Sequence, residues 1–95
     1  MSYEYNICLS SCGGNILEEV AKNISTTFRK GILSDDKQSF WIDSITVNWI
    51  DFSIEQTDVG FFIVSNLNRA DEEVVFNLIT QTMEHANIQF EIEEA

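Results

Sequence analysis

The chain has no proline and only four glycines among its 95 residues. This scarcity excludes a proline-rich linker and a low-complexity segment. Long apolar runs are also missing: the longest covers residues 61–64, whereas a membrane-spanning helix needs about 20 apolar residues. The first residues show neither the basic segment nor the apolar stretch of a secretory signal. We therefore expect a cytoplasmic protein that contacts no membrane.

Residues that bind metals or act as nucleophiles are scarce as well. Cys8 and Cys12 are the only cysteines, too few for a disulfide framework, and they favour a reduced protein. His85 is the only histidine, whereas a zinc site needs three or four ligands. A catalytic Cys or Ser needs a base that a third group orients. The sequence therefore predicts no metal, no cofactor and no enzymatic activity.

The segment 10–14, Ser-Ser-Cys-Gly-Gly, joins a predicted strand to a predicted helix. Such a loop can place backbone N–H groups around a phosphate. However, no Lys-Ser or Lys-Thr pair follows the glycines, and Glu18 and Glu19 in the first helical turn would repel an anion. A tight turn with a helix cap is the favoured interpretation.

Basic residues are the scarcest charged class: five Lys and Arg stand against sixteen Asp and Glu, for a formal charge of −11. Five scattered cations give no surface for phosphate contacts, so direct nucleic-acid binding is not expected. A strong negative field attracts basic partners and speeds their encounter. The charge therefore points to association with a basic protein.

The first third of the chain has the period of a strand and then of a helix. Residues 3–9 alternate between apolar and polar side chains, which predicts a half-buried strand. A helix to about Lys30 is predicted from apolar residues that recur every four positions, at Ile16, Val20, Ile24 and Phe28. Asn15 is the predicted N-cap and Gly31 the predicted left-handed C-cap.

Residues 34–38 read as an exposed turn, and residues 40–55 as β-structure whose apolar parity changes twice. Because a strand cannot change parity without a turn or bulge, we place one change at Asp43-Ser44 and another at Trp49-Ile50. Residues 56–60 form the next turn, and residues 61–64, apolar on both faces, form a central strand.

A second helix is predicted to start at Asn68, with Asp71, Glu72 and Glu73 in its first turn. Its buried face is predicted to contain Val74, Val75, Leu78, Ile79, Met83 and Ala86. Asn87 is predicted to end it, and the alternation over residues 88–93 predicts the last strand.

The order β-α-β-β-α-β, with the third element divided in two if its parity changes are turns, predicts a single α+β domain over residues 1–95. An antiparallel sheet with two helices on one face is the economical packing, in a ferredoxin-like arrangement or a close variant. The first strand then lies beside the last, and one sheet face stays open.

Carboxylates are predicted to gather on that open face. If Ile7 and Phe90 face the helices, then Glu4, Glu91 and Glu93 face the other way on neighbouring strands. Like charges that oppose one another on a sheet cost stability, so a basic partner is a better reason for such a cluster than folding. The alternative is a solvated surface without a partner.

Two tryptophans add an apolar element to this candidate site. Some apolar residues of the middle strands must lie on the open face or an edge, because both parities are apolar. We expect an aromatic patch of Trp41 and Trp49, in the manner of a protein interface with a polar rim. The rim residues would be Asp43, Asp51, Glu55 and Asp58. Burial of both tryptophans in the core is the alternative.

The leading functional hypothesis is an intracellular inhibitor of a basic protein, present as a monomer or weak dimer. Bacterial immunity proteins that block nuclease toxins, and nucleic-acid mimics that block DNA-handling proteins, act in this way. The alternative is a small regulatory module that self-associates through its sheet and binds a ligand at segment 10–14, which rests on the predicted fold alone.

Overall fold

The structure, a computed structural model, describes residues 3–10, 16–45 and 48–95. It contains six strands and two helices, in the order β1 (Tyr3–Leu9), α1 (Ile16–Thr27), β2 (Ile32–Leu33), β3 (Ser39–Asp43), β4 (Ile50–Gln56), β5 (Gly60–Ser65), α2 (Arg69–His85) and β6 (Phe90–Glu94). Within the described residues the strands form one antiparallel sheet, with the spatial order β2-β3-β4-β5-β1-β6.

This topology confirms the predicted α+β fold class. Strands β1 and β4 run in the same direction with β5 between them, and β6 lies beside β1. These four strands with α1 and α2 make the split β-α-β pattern of the ferredoxin-like arrangement. The β2–β3 hairpin, inserted between α1 and β4, extends the sheet by two strands at the edge remote from β6.

One face of the sheet forms the core with both helices. The buried apolar side chains of the strands all share the helix-facing parity: Ile7, Phe40, Ile42, Phe52, Ile54, Phe61 and Ile63. They pack against α1 and α2 through Leu17, Val20, Ile24, Val75, Ile79 and Met83. Because the helices also contact each other, the opposite sheet face has no described helix over it.

The two predicted parity changes correspond to a turn and a bulge. The first is the turn between β3 and β4, where the Ser44 N–H donates to the Trp49 carbonyl at 2.9 Å. The second is a register shift: Ile42 pairs with Phe52 but Asp43 pairs with Ile50, so Asp51 has no opposite residue on β3. Predicted strand residue Val47 lies outside the described residues.

The end of α1 differs from the prediction. The helix ends at Thr27 and not near Lys30. Directly after Thr27, the N–H groups of Phe28 and Arg29 both donate to the Ile24 carbonyl. Gly31 is not in the left-handed region. It is required because a Cβ would lie 2.4 Å from the Phe40 ring and 2.6 Å from the Trp41 carbonyl oxygen. The predicted cap Asn15 lies outside the described residues.

Helix α2 follows the prediction at both ends. The Asn68 side chain accepts a hydrogen bond from the Asp71 N–H at 2.9 Å, and Asn87 follows the helix with a φ of 57°. Its buried stripe is narrower than predicted, because Val74 and Ala86 are exposed. Thr82 is buried instead and accepts a hydrogen bond from Asn23 of α1.

Candidate functional site

The strand register arranges the open face in rows that cross the sheet. One row runs from Ile32 through Trp41, Ser53 and Val64 to Glu4. The next runs from Ser39 through Glu55, Phe62 and Asn6 to Glu93. A third joins Gly60, Cys8 and Glu91. Since opposite residues of a sheet point to the same side, these residues together define the open face.

Apolar side chains occupy the middle of this face. Trp41 of β3, and Phe62 and Val64 of β5 on the far side of β4, are half-buried, while Ile32 at the β2 edge is 46% exposed. Trp41 therefore lies on the sheet surface and not in the core, which excludes the alternative that both tryptophans are core residues. An apolar centre of this kind is typical of an interface surrounded by polar groups.

Carboxylates line the β1–β6 side of the open face. Glu4, Glu91 and Glu93 are all exposed and share this side of the sheet, as alternation predicts. Their arrangement corrects the expectation of directly opposed charges. Glu91 is opposite Cys8 and Glu93 is opposite Asn6, so the carboxylates of Glu4 and Glu93 are only diagonal neighbours. This placement lowers their mutual repulsion without neutralising it.

No basic residue lies on any strand of the sheet. The five cations are on the helices or in the segments that follow α1 and β2: Lys22, Arg29, Lys30, Lys37 and Arg69. The carboxylates of the open face therefore have no cation on their own surface.

Asp51 is engaged within the molecule. Its carboxylate accepts a hydrogen bond from Arg29 at 2.9 Å in an ion pair, and a second from the Trp49 indole N–H at 3.2 Å. The Arg29 guanidinium also lies over the Phe28 ring, 5.3 Å from its centroid. The charge of this predicted site residue is balanced by Arg29.

The predicted rim of four acidic residues is not assembled around one patch. Asp43 and Trp49 flank the β3–β4 turn, and Trp49 is 62% exposed there. Asp58 lies in the β4–β5 turn, at the other end of β4, about 20 Å away along the strand. Glu55 joins the apolar centre, since it is opposite Phe62. Asp43 shares the face of Trp41, two residues along β3, whereas Trp49 precedes β4 and has no strand pairing that places it on this face.

A carboxylate network that the sequence pattern did not reveal joins β1, β5 and α2. The Tyr5 hydroxyl donates to Glu72 Oε1 at 2.6 Å, and the buried Ser65 hydroxyl donates to Oε2 at 2.9 Å. The hydrogen bond to Glu72, with burial, raises the pKa of Tyr5 to about 12. A cavity of about 440 Å³ opens beside this network, and Tyr3, Arg69 and Glu94 help to line it.

A larger cavity, of about 630 Å³, lies where β1 ends and β6 begins. Cys8, Phe90, Glu84 and Glu91 are among its lining residues, and none of the lining residues is basic. The two carboxylates make it unsuitable for an anion. Segment 10–14, the predicted alternative ligand site, lies outside the described residues except for Ser10.

The described residues contain neither a group of metal ligands nor a helix that could cross a membrane. Within residues 3–10, 16–45 and 48–95, no three His, Cys, Asp or Glu side chains are grouped closely enough to hold a metal ion. His85 is exposed at the end of α2. Neither described helix has the length and apolar character that crossing a membrane requires.

No family model, curated protein or solved structure matches the chain. Strand order and helix placement define it as an α+β protein of ferredoxin-like arrangement. This arrangement supports many unrelated functions. The function must therefore be argued from the open face, where apolar side chains meet carboxylates that have no cation on the sheet.

Proposed function

We propose that the chain is a small acidic binding protein that inhibits a basic partner protein. A bacterial immunity protein that neutralises a nuclease toxin, or a nucleic-acid mimic, would act in this way. One observation carries the proposal: the open sheet face combines an apolar centre with carboxylates and has no basic residue. The proposed contact residues on this face are Glu4, Trp41, Glu55, Glu91 and Glu93.

Each part of this face has a role in the proposed complex. The carboxylates steer a basic surface toward the sheet, which can raise association rates to about 10⁸ M⁻¹s⁻¹ at low salt. Half-buried Trp41 and Phe62 supply the apolar contact that slows dissociation. Proteins that handle nucleic acids present positive clefts for phosphates, so a carboxylate surface would occupy such a cleft and exclude the substrate.

Exposed Trp49 is a second contact candidate, at the β3–β4 turn. The exposed apolar residues of this region are Ile45, Trp49 and Ile50. Because Asp43 shares the face of Trp41 and is opposite Ile50, a partner that extends to the end of β3 on the open face would reach this region as well. Asp43, exposed beside the turn, would border this contact, and Asp58 would border the opposite end of the sheet.

The proposal is tested by binding and inhibition together. The immobilised chain is exposed to basic proteins of its source cell at about 0.05 M salt, and bound proteins are eluted by raising the salt, which screens exposed charges. Each eluted protein is identified, and its activity is measured as the chain is titrated in. We expect one nucleic-acid-handling enzyme to be inhibited stoichiometrically.

A matched pair of variants locates the contact. The triple variant E4K/E91K/E93K reverses the charges on the open face, and E19K/D35K/E73K reverses three exposed charges on the helices and the β2–β3 turn. We expect the first to weaken binding at least tenfold more than the second. Equal losses would show that total charge alone governs binding. A salt-stable oligomer that melts later with a small ligand, and inhibits no basic protein, would favour the regulatory alternative.

A further inference from the structure

Strand β6 is an edge of the sheet, and all but its first residue are exposed. It pairs only with β1 among the described residues, so its other edge presents main-chain groups without a strand partner. An open edge of this kind is a template for pairing with another chain, unless charge or shape prevents it. Of the two sheet edges, β6 is the longer, because β2 has only two residues.

The hydrogen bonds to β1 fix which groups of β6 point outward. The Ala95 N–H donates to the Glu4 carbonyl, and the Ser10 N–H donates to the Gln89 carbonyl, both at 2.9 Å. Hydrogen-bonded and non-hydrogen-bonded pairs alternate along an antiparallel ladder, so the main-chain groups of Glu91 and Glu93 also form hydrogen bonds with β1. The main-chain groups of Phe90, Ile92 and Glu94 therefore face away from the sheet.

From this geometry we propose that an extended basic segment of the partner adds to β6 as a seventh strand. The inference rests on the proposed function and names the binding mode. Lys or Arg side chains would stand opposite Glu91 and Glu93, with an apolar residue between them opposite Ile92. In antiparallel pairing, the positions opposite Glu91 and Glu93 are non-bonded pairs, whose Cα atoms approach to about 4.5 Å. The side-chain charges meet most closely at such positions.

The charge pattern of β6 selects a basic segment over a second copy of this chain. Two β6 strands that pair antiparallel about Ile92 place Glu91 of each copy opposite Glu93 of the other. Moving the register by two residues in either direction places Glu91 opposite Glu91, or Glu93 opposite Glu93. Opposed like charges destabilise strand pairs, whereas Lys or Arg at these positions makes opposite-charge pairs.

The dimensions of the sheet also favour contact beyond its face. Six strands of two to seven residues, with about 3.3 Å per residue and about 4.8 Å between strands, have a flat area on the order of 500 Å². A stable interface covers about 800 Å² on each partner. A strand added to β6 extends the contact past the edge, next to the carboxylates of the open face, and supplies main-chain hydrogen bonds.

Two peptides of the same sequence, N-methylated at different residues, test the proposal. The probe is acetyl-Val-Lys-Val-Lys-Val-amide, whose valines would pair with the outward groups of Phe90, Ile92 and Glu94. N-methylation of two valines removes donors that face β6, and N-methylation of both lysines removes donors that face solvent. Since each lost hydrogen bond costs about 1 kcal/mol, we expect about tenfold or greater weakening for the first peptide and less than threefold for the second.

The readouts are binding measured at about 0.05 M salt and hydrogen exchange of the outward amides. Exchange at Phe90, Ile92 and Glu94 should slow with the unmethylated peptide. The variant Ile92→Pro removes an outward N–H, which an edge strand tolerates, and should weaken binding about tenfold. Ile92→Thr keeps the N–H and should change binding less than threefold. If Ile92→Pro does not fold, the two methylated peptides still decide.

Two results would overturn strand addition. One is equal binding of both methylated peptides with chemical-shift changes centred on Trp41 and Phe62, which would place the basic segment on the open face and leave the proposed function intact. The other is no binding of the unmethylated peptide at low salt. The proposed function fails by a different result, namely that no basic protein is inhibited by the chain.

Discussion

Tyr5 adds a pH dependence to the stability of this protein in the alkaline range. Its hydroxyl donates to Glu72, and the contact raises its pKa from 10 to about 12. The unfolded chain therefore loses this proton at a lower pH than the folded chain. The folded state binds more protons between pH 10 and 12, so the stabilisation is complete below pH 10 and is lost as pH rises through this interval.

We expect Tyr5→Phe to lower the free energy of unfolding by about 1.5 kcal/mol at neutral pH, the size of a hydrogen bond to a charged group. The variant should also lose the part of the stability decline between pH 10 and 12 that Tyr5 causes. Urea unfolding at stepped pH measures both effects. Tyr3→Phe is the control, because Tyr3 is exposed. An identical alkaline decline in the Tyr5 variant would contradict the role of the Glu72 contact.

Two ion pairs of this chain differ in exposure, and their contributions to the free energy of unfolding should differ accordingly. The Arg29–Asp51 side chains are 24% and 18% exposed, whereas those of Lys37–Glu18 are 55% and 37% exposed. Solvent screens the second pair more strongly. We expect Asp51→Asn to cost about 1–2 kcal/mol and Glu18→Gln less than about 0.5 kcal/mol, measured by urea unfolding. Equal costs would show that Asp51 is no better shielded than Glu18.

At the scale of elements, Gly60 allows β1 and β5 to approach closely enough to pair. A Cβ at this position would lie 1.8 Å from the Ile7 carbonyl oxygen, in the backbone of a central strand. The strands would have to separate, so we expect Gly60→Ala to cost more than about 3 kcal/mol. Val59→Ala, one residue earlier and exposed, should change stability by less than about 0.5 kcal/mol. Thermal and urea unfolding compare the two, and similar costs would contradict the steric argument.

Local patterns predicted those elements whose causes are local. The alternation in β1 and β6 and the cap at Asn68 depend on neighbours within a few residues, and the structure contains all three. Strand β2 has only two residues, too few for a period to show. The requirement for glycine at position 31 comes from Phe40 and Trp41, which are near only after the β2–β3 hairpin has formed.

The candidate site likewise contains residues that a local pattern places and residues that only tertiary packing places. Glu4, Glu91 and Glu93 were predicted to share a face because alternation and strand order suffice to place them. Asp51 was predicted to be a rim residue of the aromatic patch, but its carboxylate is paired with Arg29, 22 residues away. The Tyr5–Glu72 contact spans 67 residues. Pairs at such separations follow from tertiary packing, which no period in the sequence encodes.

For the whole molecule, the net charge of −11 is unevenly distributed. Several carboxylates stabilise the fold: Glu72 bonds to Tyr5 and Ser65, Asp51 pairs with Arg29, and Glu18 pairs with Lys37. Those of the open face have no cation on the sheet. The open face, which is the proposed binding surface, is therefore also the surface where charge contributes least to folding.

Neutralising that surface should therefore stabilise the protein while weakening its binding. We expect E4Q/E91Q/E93Q to raise the free energy of unfolding by about 0.5 kcal/mol, because diagonal and neighbouring carboxylates no longer repel one another. The control E19Q/D35N/E73Q removes the same net charge. It should gain less, since Glu19 stands in the first turn of α1, where negative charge is favourable.

Urea unfolding at low salt measures the difference, and about 0.5 M salt should abolish it. An equal gain in the control would assign the repulsion to total charge, and the open face would then have no special part in it.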